Sequence, residues 1–402
     1  MAPSQARREQ EPGRSRRAVP ALYAAAVVIF SDMYITQPIL PLLSHEFGIP
    51  PATAGLSVSA VVLLIALASL AYGPLSDIYG RKPVMVGCCA LLSIPTLLCA
   101  FAPSFELLLI GRAAQGLLIP GLTAVAVAYL GELYDPAQLG RVVGGWIAAN
   151  VAGGLTGRVV SGVITDLFGW RAAFVFFAIL TLSCALFLAL HLTHVPPRMA
   201  DRRAGWRRAY AGMFSHLANR RMFGAFLIGG ALFFGFIGIF TYLPYYLTNE
   251  PFRLSPTLVA FAYVSYLAGV IVSPVAGRLS VRIPRRLLIA IGLGIAMLGM
   301  CLTLIPLLPL IIASLFILCT GMFTAQAVAP AFVNAIAPHA KGGAGALYLM
   351  SYYLGGTLGA ALPGVAWQAF GWHGVVATCL IALLIALLAD WLLCGETTPT
   401  QP

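Results

Sequence analysis

Polar residues arrive in clumps along this chain, and between the clumps lie apolar stretches of about 20 residues. A helix needs about that length to cross a ~30 Å hydrocarbon core at ~1.5 Å rise per residue. The pattern predicts helices at 19–43, 53–77, 83–102, 105–131, 140–166 and 170–193, then at 222–247, 256–278, 286–306, 309–336, 343–368 and 373–394. Pro and Gly inside several runs are compatible with bilayer helices, because packing neighbours satisfy the backbone groups they free. The start, "MAPSQARREQEPGRSRR", is polar and Arg-rich, and the apolar run behind it exceeds a signal-peptide core, so the first helix is expected to stay in the mature chain.

Composition agrees with twelve crossings. The chain has 402 residues, 60% hydrophobic and 9% charged, with a mean hydropathy of +0.91, whereas a soluble domain is ~25% charged. Charge then orients the helices. With the N-terminus inside, Arg7, Arg8, Arg14, Arg16, Arg17, Arg81, Lys82, Arg141, Arg198, Arg202, Arg203, Arg207, Arg208, Arg220, Arg221, Arg278, Arg282, Arg285, Arg286 and Lys341 all fall in cytoplasmic segments. Arg171 and Arg253 face the other side, and Arg112 and Arg158 lie inside helices. Both termini are therefore expected in the cytoplasm of a bacterial inner membrane, and the net charge of +11 reports topology and anionic lipid rather than nucleic acid. The eight cysteines and six histidines show no metal-ligand spacing, so no metal is expected.

The chain repeats itself. "GPLSDIYGRK" at 73–82 returns as "GRLSVRIPRR" at 277–286, and "GGLTGRVVSGVITDLFGWR" from Gly153 returns as "GGTLGAALPGVAWQAFGWH" from Gly355. The predicted organisation is a tail (1–18), a six-helix bundle (19–193), a basic linker (194–221), a second six-helix bundle (222–394) and a short tail (395–402). Parallel repeats of this kind imply a pseudo-two-fold axis along the membrane normal and a cavity at their interface.

These motifs resemble the major facilitator superfamily. Gly73, Asp77, Gly80, Arg81 and Lys82 match its signature between helices two and three, and Arg112, Gln115 and Gly116 match its helix-four motif. The Gly-rich helix-five motif associated with antiporters is met in part, since Arg158 follows Gly157 where a Pro is usual. With "QPILPLLSHEFG" in helix one, this departure resembles the YnfM-like branch of drug and sugar proton antiporters. The resemblance implies an all-α membrane protein with the major facilitator fold, twelve helices in two pseudo-symmetric bundles. It also implies a gating latch in which Asp77 pairs with Arg81 and meets the positive start of helix eleven near Gly342 and Gly343. A solvated loop with topogenic arginines is the plainer alternative, and Val281 replaces Asp77 in the second copy.

Charges at membrane depth are costly and mark function. Asp32, near the middle of helix one, is the expected proton-binding group, with Arg112 as its partner; a static ion pair that fixes packing is the alternative. Arg158 is a candidate substrate contact or a structural residue, and Gln37, Gln115, Asn150, Tyr242, Tyr245, Gln326 and Tyr352 are candidate cavity residues. Gly116, Gly153, Gly154, Gly157, Gly162, Gly355, Gly356 and Gly359 are expected to allow close helix approach. The reading is a secondary active transporter that exports a small organic compound, a drug, sugar or metabolite, in exchange for protons. A facilitator, an importing proton symporter and a non-transporting membrane sensor are the alternatives. No enzyme chemistry is expected, because no helix carries a Ser and His or paired-Asp arrangement. No ATP site, nucleic-acid partner or cofactor is expected either; the proton gradient supplies energy and one chain works as a monomer.

Overall fold

The structure, a computed structural model, describes residues 12–193, 213–337 and 341–395, and every regular element among them is helical. The expected tail up to residue 11, most of the basic linker (194–212) and residues 396–402 lie outside the described residues. Ten helices have the length and hydropathy of one crossing: α1 (Ala18–Phe47), α2 (Pro51–Tyr79), α3 (Arg81–Ala100), α4 (Phe105–Leu133), α5 (Gln138–Phe168), α6 (Trp170–His191), α7 (Arg220–Thr248), α8 (Pro256–Leu279), α9 (Arg285–Leu302) and α10 (Leu308–Ile336).

The eleventh apolar stretch, Gly343–Leu393, is 51 residues long. Run straight it would reach ~75 Å, more than twice the hydrocarbon thickness. It turns instead at Gly371, whose φ of 56° and ψ of −141° are non-helical. Two crossings result, α11 (343–370) and α12 (372–393), and the count among the described residues is twelve.

Contacts divide the chain into two compact units, residues 1–39 with 67–200 and residues 40–66 with 201–402. Residues 40–66, the last turns of α1 and the first half of α2, group with the second unit through specific bonds. Tyr245 Oη donates to Leu40 O (3.0 Å) and Ser59 Oγ donates to Thr357 O (2.8 Å).

Each unit repeats the other's local architecture. In the first, α1 packs on α5: a Cβ at Gly153 would strike the backbone of Val27, and one at Gly157 the backbone of Ser31. In the second, α7 packs on α11: Gly355 meets the backbone of Gly230, and Gly359 that of Phe234. Lipid gives helices no hydrophobic reason to associate, so close approach over small residues supplies the van der Waals contact that holds them. The turns repeat as well. Gly169 (φ 83°) leads into Trp170 at the start of α6, as Gly371 leads into Trp372 at the start of α12, and both tryptophans are buried. Positive φ is strained for any residue with a Cβ, which is why glycine stands at both turns.

Candidate functional site

Helix α1 is not continuous, contrary to the unbroken first helix that hydropathy predicts. Its regular helix ends at Met33, residues 37–39 form a 3₁₀ turn, and helix resumes over Leu40–Phe47. Pro38 supplies part of the reason, since it has no N–H to donate. A break at membrane depth leaves backbone carbonyls that water cannot reach, so protein groups must satisfy them. Within the turn, Tyr34 N donates to Ser31 O, Gln37 N to Tyr34 O and Ile39 N to Thr36 O. Neighbouring helices take the rest. Arg112 on α4 donates Nη1 to Asp32 O (3.0 Å) and Nη2 to Met33 O, while Ser161 on α5 donates to Ile35 O (2.7 Å).

Around this break lies a wholly buried polar cluster. The Asp32 carboxylate accepts from Thr96 Oγ1 at 3.1 Å and from Gln115 Nε2 at 3.1 Å. Gln115 in turn accepts through Oε1 from Arg112 Nη1 (2.6 Å) and donates to Thr96 Oγ1 (2.7 Å). Asp32, Thr96, Arg112 and Gln115 all have zero solvent exposure. A buried carboxylate and guanidinium are tolerable only where charge and hydrogen bonds compensate their desolvation, and this relay provides both.

One turn further along the break stands Arg158, also fully buried. Its guanidinium lies 3.7 Å above the Tyr34 ring, its Nε donates to Gln37 Oε1 (2.6 Å) and its Nη1 donates to Gly154 O. Gly154 leaves room for that side chain, because a Cβ there would stand 3.2 Å from Nη1. Two arginines and one carboxylate thus surround one broken helix.

The link between α2 and α3 carries a second charge cluster. Arg81 pairs with Asp77 at 2.6 Å and with Glu132 at 3.3 Å, and also reaches Ser76. Gly80 takes a φ of 91° at the start of α3, which accounts for its glycine. Gly73 has no such demand in this state, as a Cβ there would meet nothing within 4 Å. Lys82 points elsewhere: it donates to Leu192 O (2.7 Å), a carbonyl at the end of α6. Its counterpart in the second repeat, Arg286, donates to Asp390 O (2.6 Å) near the end of α12 and pairs with the Asp390 carboxylate at 3.3 Å. The last basic residue of each repeat therefore caps the sixth helix of its own half. Val281, where Asp77 has its counterpart, is exposed. The expected meeting of Asp77 with the start of helix eleven concerns a segment of the other unit.

The remaining predicted residues are spread over the two units. Gln37 and Gln115 belong to the cluster at the α1 break. Asn150 on α5 keeps its Oδ1 buried with no hydrogen-bond partner. In the second unit Tyr242 Oη donates to Ala360 O (2.7 Å), so its hydroxyl holds α7 to α11, and the Tyr245 hydroxyl, bonded to Leu40 O, also lies 2.6 Å from Ser44 Oγ. Tyr352 stacks on Phe233 with ring centroids 4.0 Å apart, in an aromatic wall continued by Phe236, Tyr266 and Phe323. Gln326 is half-buried on α10, and Gly116, Gly162 and Gly356 are buried, the last beneath the Phe233 ring. Sequence reasoning missed Thr96, Ser161, Tyr34 and Glu132. Glu132 was findable as one of the chain's 13 acidic residues; a threonine or serine inside an apolar helix gives no such signal.

The chain matches the model of the Major Facilitator Superfamily over residues 22–323 and again over 248–402. It is 37% identical over 372 residues to the inner membrane transport protein YnfM of Escherichia coli (strain K12), covering 92% of this chain and 88% of that protein. It is 31% identical over 369 residues to the MFS-type transporter YybF of Bacillus subtilis (strain 168), covering 91% of each. Among solved structures, a bacterial homologue of the human lysosomal transporter Spinster, inward-facing and unoccupied, superposes with a TM-score of 0.79 at 17% identity, covering 96% of this chain and 100% of that one. The nucleoside transporter NupG gives a TM-score of 0.77 at 15% identity, covering 94% of this chain and 100% of that one. Matched over more than nine-tenths of its length by these relatives and built of twelve crossings with the superfamily's charged link intact, the chain belongs to the Major Facilitator Superfamily.

Proposed function

We propose that this transporter exports a small organic compound in exchange for protons, with Asp32 as the proton carrier. The observation that carries the reading is the relay from the Asp32 carboxylate through Gln115 to Arg112, whose guanidinium holds the broken turn of α1. Ionised, Asp32 can only accept hydrogen bonds and draws Thr96 and Gln115 to itself. Protonated, it becomes a donor, and Thr96 Oγ1 is the acceptor in reach at 3.1 Å. That reversal loosens the hold of Gln115 on the carboxylate and shifts more of the Arg112 charge onto the backbone carbonyls of Asp32 and Met33. Proton occupancy is in this way felt at the carbonyls of residues 32 and 33, where α1 changes course.

The substrate in this reading meets Arg158 and Asn150 in the first unit, beside the break in α1. An unfilled acceptor on Asn150 and a cation on Arg158 suit a molecule with polar groups. No cofactor enters this cycle, one chain suffices, and the arginine distribution supports an inner-membrane location with both termini in the cytoplasm. The test uses inverted membrane vesicles with an acid-inside gradient and a panel of cationic drugs, anionic metabolites and sugars. Release of protons on addition of a compound, absent in Asp32→Asn, supports antiport. Substrate-driven flux that persists unchanged in Asp32→Asn would move the assignment to a facilitator.

A further inference from the structure

Between α7, α11 and α12 the second unit holds a groove of about 360 Å³. It exists because two glycines meet at its floor: a Cβ on Gly355 would strike the carbonyl of Gly230, so neither helix carries a side chain there, and Ala231 and Ala382 add little bulk. Its only hydroxyls are already engaged inside the protein. Ser351 donates to Phe226 O (2.7 Å) and Thr378 to Gly374 O (2.8 Å), which leaves an apolar surface with no demand for a polar ligand. Leu358, Ile381 and Ile385 on its rim are 51%, 57% and 49% exposed, so the groove is open rather than sealed.

Charge at one end of the groove favours one kind of occupant. Arg220 begins α7 seven residues before Leu227, a lining residue, and two turns of helix place both on one face ~10 Å apart. Arg220 is exposed, and one arm of its guanidinium donates to Leu392 O (3.0 Å). Leu392 itself stands seven residues beyond the lining residue Ile385 on α12, so two matching heptads run side by side from the groove to the arginine. Trp391 beside it is 73% exposed, an amphipathic ring where the apolar belt meets water. A long apolar chain joined to an anionic head at this spacing is a phospholipid, and basic residues at the end of an interhelical groove recognise such heads.

We infer that the α7–α11–α12 groove is a binding site for an anionic phospholipid, with an acyl chain along Gly230 and Gly355 and the phosphate on Arg220. The site lies wholly within one unit and is independent of the proton relay.

The experiment measures lipid retained by the purified full-length protein, titrating phosphatidylglycerol against phosphatidylcholine in detergent with native mass spectrometry. Wild type is expected to retain phosphatidylglycerol in preference. Arg220→Gln should weaken that retention about fivefold, the equivalent of ~1 kcal/mol for one basic contact, while Arg220→Lys keeps the preference. Ala231→Phe, which fills the groove, should reduce retention of both lipids, and Arg282→Gln, an exposed charge on the α8–α9 link, should change nothing. Equal retention of the two lipids by wild type would overturn the site. So would an unchanged Arg220→Gln, an unchanged Ala231→Phe, or an equal loss in Arg282→Gln, which would mark diffuse attraction to a basic face.

Discussion

Removing Arg112 tests whether one side chain serves both the fold of α1 and the charge of Asp32. Arg112→Ala strips the donor from Asp32 O and Met33 O, two carbonyls shut away from water. A buried acceptor left unsatisfied costs about 1–3 kcal/mol, and a buried charge that loses its partner costs about 3–5 kcal/mol. These overlap, since Asp32 escapes part of the penalty by taking up a proton, so a total of about 4–6 kcal/mol is expected. Arg112→Lys should cost about 1–3 kcal/mol, because a single ammonium replaces charge but not the fork that spans two carbonyls. Adding Asp32→Asn to Arg112→Ala removes the stranded charge and leaves the carbonyl cost in place. The double variant should then be about 1–3 kcal/mol more stable than the sum of the single changes, as expected for residues in one network. Equilibrium unfolding in mixed micelles, followed by tryptophan fluorescence, measures the wild type and the four variants. Strict additivity would refute the electrostatic link, and an Arg112→Ala loss below about 1 kcal/mol would refute its role in holding the break.

Two glycine substitutions should behave oppositely. Gly157→Val drives a side chain into the Ser31 backbone and should cost more than about 3 kcal/mol and most of the folded yield, whereas Gly73→Ala meets open space and should stabilise α2 by about 0.5–1 kcal/mol; detergent melting curves decide both. Tyr242→Phe leaves Ala360 O without its donor and should lower the unfolding free energy by about 1–3 kcal/mol. Asp77→Asn disturbs a pair whose acid is 53% exposed, so its stability cost should stay below about 1 kcal/mol; any larger effect belongs in transport rate, read in the vesicle assay. Lys82→Met and Arg286→Met should each cost about 1 kcal/mol by freeing a carbonyl at the end of α6 or α12, and hydrogen exchange should show the loss confined to those helix ends.

The pattern of apolar runs was enough to place twelve crossings, because a bilayer admits only segments long enough to span it with their backbone bonds closed. Even the α11–α12 turn, hidden inside a continuous apolar stretch, was legible from the "FGW" shared by Gly169 and Gly371. The repeat was equally legible, since Gly153 and Gly157 and their counterparts Gly355 and Gly359 exist to let backbones touch. Asp32, Arg112 and Arg158 stood out for one reason, the cost of charge in hydrocarbon. What the sequence could not contain was the break in α1 and the identity of the groups that heal it. Hydropathy averages over a window and is blind to a local break in the backbone ladder, and whether Arg112 and Ser161 reach the freed carbonyls, and Thr96 the Asp32 carboxylate, depends on how α3, α4 and α5 stand around α1. For the same reason the sequence marked Arg112 as a partner for the Asp32 side chain, while folding also gave it the main-chain carbonyls of residues 32 and 33. Element length and periodicity are local properties, carried by each helix alone; the pairing of a buried donor with a buried acceptor is decided only when helices distant in the chain are packed side by side.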